Sequence, residues 1–229
     1  MPSVLNNNMK SNDKHKTHSF IVVTGGVGVG KTTLIEKIQL IYGNAVGIVQ
    51  EFIDYSPQKG KKYLEDFLSG KMNCFEFQSF VLDCYDLQLT DFCSTKKLII
   101  MERGPFDSVG LFTRQSLIDG RISQENFDKL IEKIHVIEKK YQIPTTDTFN
   151  MEARDMAYSN EKSVFESLEN GIYKTVEDSS DLLIYLYSSV PKKQLDNIKK
   201  RGRKGEENYD VNYMMKINNA YMEMFGNRI

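Results

Sequence analysis

Four short apolar runs punctuate the chain: Phe20–Thr24, Val46–Gln50, Leu98–Glu102 and Leu182–Tyr187. Each is rich in β-branched or aromatic residues and too short for a helix, and helical patterning separates it from the next. That is the signature of buried parallel strands. Between them, Thr33–Ile41 sets Leu34, Ile35, Ile38 and Ile41 on one helical stripe. Phe75–Leu89 is apolar nearly all round, as a helix inside a domain would be. Gln124–Tyr141 is amphipathic and rich in Lys and Glu, Pro191–Lys200 opens with proline at a helix start, and Val211–Phe225 repeats Met and Tyr at helical spacing. Strands alternating with helices predict an α/β three-layer sandwich around a parallel sheet with right-handed crossovers. The alternation breaks only over residues 142–180. There a polar segment, Pro144–Asn160, precedes a helical pattern, Glu161–Val176, and the whole reads as an insertion, an extra hairpin or lid packed on the domain. Residues 19–229 otherwise read as one domain, and the polar residues 1–18 as a disordered tail.

Composition narrows the function classes. Of 229 residues, 40% are hydrophobic and 27% charged, and the formal net charge is −1. That gives no overall basic field, so duplex nucleic acid is not an expected partner. Cys74, Cys84 and Cys93 form no C-x-x-C pair, which indicates neither a disulfide framework nor a zinc site, and a reducing, cytoplasmic compartment is expected. No apolar run approaches the ~18 residues needed to cross a bilayer, so no membrane partner is expected.

The strongest chemical signal follows the first strand. Gly25-Gly26-Val27-Gly28-Val29-Gly30-Lys31-Thr32 satisfies G-x-x-x-x-G-K-[ST], with Thr33 opening the helix beyond it. Glycines let backbone N–H groups converge on phosphate oxygens, and the helix N-terminus adds partial positive charge. Lys31 is then expected to reach the β- and γ-phosphates of ATP, and the Thr32 hydroxyl to ligate Mg²⁺. Ligands of open α/β sheets bind beyond the carboxyl ends of the strands. Two strands end there in acids, at Gln50-Glu51 and at Met101-Glu102-Arg103-Gly104. A carboxylate closing an apolar run is costly unless it has a partner or a task. Two of them at the mouth of a phosphate loop favour the task.

With the phosphate loop, and five motifs in the family's order, the sequence resembles the deoxynucleoside kinases of the cellular and insect type over most of residues 20–225. The matching segments are Glu51-Phe52-Ile53-Asp54-Tyr55 after strand two, Phe75-Glu76-Phe77-Gln78 on a helix, and Glu102-Arg103-Gly104 after strand three. They continue with Asp181 through Leu186 followed by Pro191, and with Arg201-Gly202-Arg203-Lys204-Gly205-Glu206-Glu207, the family's lid, here over residues 201–210. The resemblance implies ATP-dependent phosphorylation of a deoxynucleoside 5′-hydroxyl. It implies Glu51 as general base, Glu102 as a second Mg²⁺ anchor beside Thr32, and Arg103 holding the acceptor oxygen. Arg201 and Arg203 would close over the triphosphate, and Gln78 would make a two-pronged bond to the base. Glu206 or Glu207 would hold the sugar 3′-hydroxyl, with Glu207 the candidate. The resemblance leaves a homodimer open.

Several positions depart from the family pattern. Phe52 replaces a proline, Gly104 replaces a serine, and Phe67 stands where a sugar-binding tyrosine is usual. Tyr85 stands where some members carry a base-selecting arginine, and Asp107 is one residue off the acid that would pair with it; both are kept as candidate substrate contacts. The usual fifth, edge strand after the lid is missing from the pattern. Two rivals share the loop: a nucleoside-monophosphate kinase of the thymidylate kinase type, and a degenerate P-loop protein that binds nucleotide without transferring phosphate.

Overall fold

The computed structural model describes residues 17–144, 172–175, 181–204 and 206–225. In chain order the elements are β1 (Ser19–Gly25), α1 (Lys31–Tyr42), β2 (Val46–Val49), α2 (Phe52–Tyr55), α3 (Pro57–Leu68), α4 (Cys74–Thr95), β3 (Leu98–Glu102), α5 (Leu111–Ile118), α6 (Gln124–Tyr141), β4 (Ile172–Thr175), β5 (Leu182–Leu186), α7 (Pro191–Arg201) and α8 (Val211–Phe225). The sheet order is β2-β3-β1-β5-β4. The first four of these strands are parallel, as the apolar runs predict, and β4 is antiparallel to β5.

The strands read as continuous apolar runs because both faces of the sheet are covered. Side chains alternate between faces. Phe20 and Val22 enter the larger core, shared with Leu82 and Leu89 of α4 and Ile134 of α6, whereas Val23 enters a smaller core with Ile35 of α1, Ile100 and Ile184. Long α4 lies in the larger core, which explains its nearly all-round apolar pattern. Its first turn is capped by Asn73, whose Oδ1 accepts from the Glu76 N–H at 2.9 Å. The parallel register brings the carboxyl ends of β1, β2 and β3 to one edge, with Val23 opposite Glu102 and Val49 opposite Met101. At the other end of the sheet the Asp181 carboxylate accepts from the buried Phe20 N–H at 2.7 Å, tying the start of β5 to β1.

Two expectations need correction. Within the helical pattern of Glu161–Val176, residues 172–175 form a strand. Ile-Tyr-Lys-Thr is β-branched and aromatic, and the exposed side of β5 supplies the hydrogen-bond partners that the local pattern does not reveal. The edge beyond β5 is thus occupied, by an antiparallel strand that precedes it in the chain. His18, assigned to the tail, is partly buried: its Nε2 lies 3.0 Å from the Tyr141 carbonyl and its ring packs edge-on against Phe20. The rest of the tail, residues 1–16, and most of the 142–180 insertion lie outside the described residues. Among the described residues no helix is long and apolar enough to cross a membrane.

Removing the Asp181 carboxylate takes from the buried Phe20 N–H its acceptor at 2.7 Å. Asp181→Ala should lower unfolding free energy by about 1–3 kcal/mol in urea titration, with little loss of activity at room temperature, because the residue is at the opposite end of β5 from the phosphate loop.

Candidate active site

The loop between β1 and α1 turns through left-handed backbone at Gly28, with φ at +75°. A Cβ there would sit 2.6 Å from the Gln194 carbonyl, so glycine is required by conformation and by space. Lys31, the first residue of α1, is 4% exposed. Its Nζ donates to the Gly26 carbonyl at 2.8 Å and lies 3.7 Å from Glu102 Oε1. Burial, aided by the Arg103 charge and opposed by Glu102 and Glu51, pulls its pKa down to about 7. Thr32 Oγ1 donates to Glu102 Oε2 at 2.9 Å. Burial and the nearby Glu51 carboxylate raise the Glu102 pKa. A cavity of about 350 Å³ opens over these groups, lined by Gly28, Gly30, Lys31, Thr32, Thr33 and Glu102 together with Asn197, Lys200 and Arg201 of α7.

Glu51 follows β2 directly, and its strand end is held by Gln88 of α4. The Gln88 amide accepts from the Gln50 N–H at 2.9 Å and donates to the Gln50 carbonyl at 3.1 Å, acting as a substitute neighbouring strand. Both carboxylate oxygens of Glu51 are taken. Arg103 Nη1 donates to Oε1 and Arg203 Nη1 to Oε2, each at 2.8 Å, while Arg203 Nη2 donates to Asp54 at 2.9 Å. Burial alone would raise the Glu51 pKa. Arg103, Lys31 and Arg203 outweigh it and bring the value to about 2.

Arg103 itself has φ at +64°, left-handed backbone that non-glycine residues seldom adopt. Surrounding bonds fix it there. Its N–H donates to the Val23 carbonyl at 2.9 Å and its Nε to Tyr221 Oη at 3.0 Å, and the Tyr85 hydroxyl lies 3.3 Å from the Glu102 and Arg103 carbonyls. Strain of this kind persists only where the surroundings over-determine it, and it clusters at functional sites.

A second cavity, of about 410 Å³, extends from Glu51 and Arg103 into the larger core. Phe52, Phe67, Phe77, Val81 and Phe112 form much of its wall. Phe67 and Phe77 stack at 4.5 Å between ring centroids and 6° between planes. Gln78, 4% exposed, also lines it, and among the described residues its amide has no hydrogen-bond partner. Buried amides are nearly always paired, so one left open to a cavity marks a place for a polar ligand edge. Lys31 and Arg201 line both cavities, which therefore meet at these two cations.

The structure thus brings together Lys31, Glu51, Gln78, Arg103, Arg201 and Arg203 around the larger cavity, and Lys31, Thr32 and Glu102 around the smaller. Arg201 is held by Glu206, whose two oxygens each accept from Nη2 at 2.8 Å. Tyr85 and Asp107, taken as substrate contacts, are buried and do not line either cavity. The wide, π-type turn at Phe106–Gly110 presents Ser108 to the larger cavity in place of Asp107, and Tyr85 is directed to the backbone of Glu102 and Arg103. Glu206 lines the larger cavity, while the side chain of Glu207 lies outside the described residues. Arg121, Asp54, Gln88 and Tyr221 were not legible as site residues. Arg121 follows a glycine turn with no motif around it, and the other three act through partners far away in the chain.

No curated protein sequence matches the chain. Among solved structures it is similar to deoxyadenosine kinase from M. mycoides with bound dATP, at a TM-score of 0.56 and 21% identity, covering 92% of this chain and 86% of that one. The same enzyme with bound dCTP superposes at a TM-score of 0.55 and 22% identity, covering 91% and 84%. At such identities the likeness speaks for the fold. The deoxynucleoside kinase family model matches residues 21–151, more than half of the sequence, and spans the phosphate loop, Glu51, Gln78 and Glu102-Arg103. This chain belongs to the deoxynucleoside kinase family.

Proposed function

We propose that the chain transfers the γ-phosphoryl group of ATP to the 5′-hydroxyl of a deoxynucleoside bound in the larger cavity, with Glu51 as general base. One observation carries the reading. The phosphate-loop cavity and the Gln78 cavity meet at Lys31 and Arg201, with Glu51 and Arg103 on the acceptor side of that junction. Phosphoryl transfer asks the protein chiefly for positioning and for charge at the transferring group. Two cations at the junction, with Arg103 beside them, supply that charge.

On this reading the nucleobase lies among Phe67, Phe77 and Phe112, with the open Gln78 amide on its hydrogen-bonding edge. Arg103, fixed by Tyr221 and the backbone of Val23, holds the acceptor oxygen. Glu51, at about 2, is too weak a base while both arginines hold it. Arg203 has to leave it, and the triphosphate is the competing anion. Thr32 and Glu102 offer adjacent hard oxygen donors, a fit to Mg²⁺, which takes few protein ligands and completes its shell with phosphate and water. When bound there, the ion would offset charge on the β- and γ-phosphates.

The rival monophosphate kinase reading needs resident cations for an acceptor phosphate. Arg114 is exposed and lines neither cavity. Arg121 does line the larger cavity but is engaged with Asp119. A deoxynucleoside is therefore the favoured acceptor. A panel of deoxynucleosides and their monophosphates assayed with labelled ATP should give higher kcat/KM for the nucleosides. Glu51→Gln should lower kcat by about 10²–10⁴-fold with little change in nucleoside binding. A preference for monophosphates, or a nearly fully active Glu51→Gln variant, would replace this reading with the rival one.

Gln78→Ala should weaken every accepted nucleoside by about 1–3 kcal/mol, seen as raised KM. Because the amide has no hydrogen-bond partner to lose among the described residues, thermal stability should change little. A large drop in melting temperature with unchanged KM would make Gln78 a structural residue.

A further inference from the structure

The phosphate loop is gripped from behind by side-chain amides of α7, one of them paired with an amide of α8. Gln194, 1% exposed, donates from Nε2 to the Val27 carbonyl at 2.8 Å and to Asn218 Oδ1 at 3.2 Å. Asn218 returns a bond from Nδ2 to Gln194 Oε1 at 2.7 Å. Asn197 Nδ2 donates to the Gly28 carbonyl at 2.8 Å. A cradle for phosphate needs its N–H groups turned inward, so the carbonyls of the same peptides face away and need donors of their own. Here Gln194 and Asn197 of α7 supply them, and Asn218 of α8 braces Gln194.

Gly26 carries the second observation. It is not among the glycines with positive φ, so its φ alone does not demand glycine. What excludes one is the amide pair: a Cβ would lie 2.7 Å from Asn218 Oδ1 and 3.1 Å from Gln194 Nε2. The pair and the loop are therefore packed as one unit. The same α7 ends at Arg201, which lines both cavities, and α8 begins just beyond the lid. Gln194 and Asn218 touch none of the cavity surface, which makes them positioning rather than catalytic residues.

We propose that Gln194 and Asn218 form an amide clasp that fixes the orientation of the phosphate-loop peptides and locks the loop to the two helices flanking the lid, so that ATP binding depends on residues that never contact it. An apolar pair of similar size would fill this space, but it would leave the Val27 carbonyl without a donor and let the peptide rotate. The proposal rests on the loop being the ATP site.

The test uses the full chain with Gln194→Met, which keeps side-chain volume and removes the donors, with Asn218→Ala, and with Gly26→Ala. Each is read by ATP titration at equilibrium, by KM for ATP and for the deoxynucleoside, and by thermal melting. Gln194→Met and Asn218→Ala should each raise the ATP Kd and KM about tenfold, the loss of one to two net hydrogen bonds, with deoxynucleoside KM changed by less than about twofold. Gly26→Ala should act by breaking the same clasp, so Gly26→Ala combined with Asn218→Ala should be no worse than Gly26→Ala alone. Lower melting temperatures with unchanged ATP Kd would overturn the proposal, as would additive effects of Gly26→Ala and Asn218→Ala. A wild type that binds no ATP would overturn the loop assignment and the clasp with it, whereas a wild type that binds ATP beside variants that bind it equally well would overturn the clasp alone.

Discussion

Lys31, Glu102 and Arg103 are each less than a tenth exposed, and Glu51 is scarcely more open. A single buried charge of this kind costs several kcal/mol, and only close partners of opposite sign make it tolerable. Glu51 faces Arg103, and Glu102 faces Lys31 and the Thr32 hydroxyl. The geometry of the sheet follows from that requirement. Strands β1, β2 and β3 must end at one edge, so that the loop after the first, the acid after the second and the Glu-Arg pair closing the third meet within hydrogen-bonding distance. The parallel register provides this. Even the left-handed backbone of Arg103 makes sense here, since it lets Glu102 and Arg103, adjacent in the chain, serve opposite partners.

What was legible in the sequence was what is local. The phosphate loop is one contiguous motif, and Glu51 and Glu102 announce themselves as acids at the ends of apolar runs. The four parallel strands show because they are buried on both faces and carry no alternation to confuse them. What stayed hidden depends on bonds between distant parts of the chain. Gln88 completes the end of β2 from 38 residues away, and Gln194 reaches Val27 across 167. A glutamine on a helix has the same local pattern whether it faces water or holds another segment's backbone. Strand β4 failed for a related reason, because four residues at a sheet edge owe their conformation to the neighbour they pair with. The exchange of Asp107 for Ser108 at the cavity wall is subtler still, since it depends on the width of one helical turn.

On the proposed reading, the nucleobase end of the larger cavity is shaped by these departures. Tyr85 is turned to the backbone, and uncharged Ser108 stands at the wall where Asp107 was expected. Phe67, Phe77, Phe112 and the Gln78 amide line the same cavity, with Ser108, Gln115, Ser116 and Arg121 among its polar lining. Apolar surface tolerates many flat rings, and a missing methylene or hydroxyl changes such binding modestly, whereas an unpaired buried polar group is punished heavily. On the proposed reading, discrimination among bases rests chiefly on the Gln78 amide and on the shape set by the stacked Phe67 and Phe77.

Arg203 occupies the remaining oxygen of Glu51 and, through Asp54, is held against α2. On the proposed mechanism the same arginine is wanted by the triphosphate, and it cannot serve both anions fully. Donor and acceptor sites are then linked through one side chain: drawing Arg203 toward phosphate strengthens Glu51 as a base, and a proton accepted by Glu51 loosens Arg203 toward phosphate. Linkage requires the two effects to be equal in free energy. The lid therefore has a second consequence beyond charge neutralisation. Until a donor is present, the acceptor hydroxyl meets a carboxylate too tightly paired to take its proton, and the chemistry waits on both substrates without any separate switch.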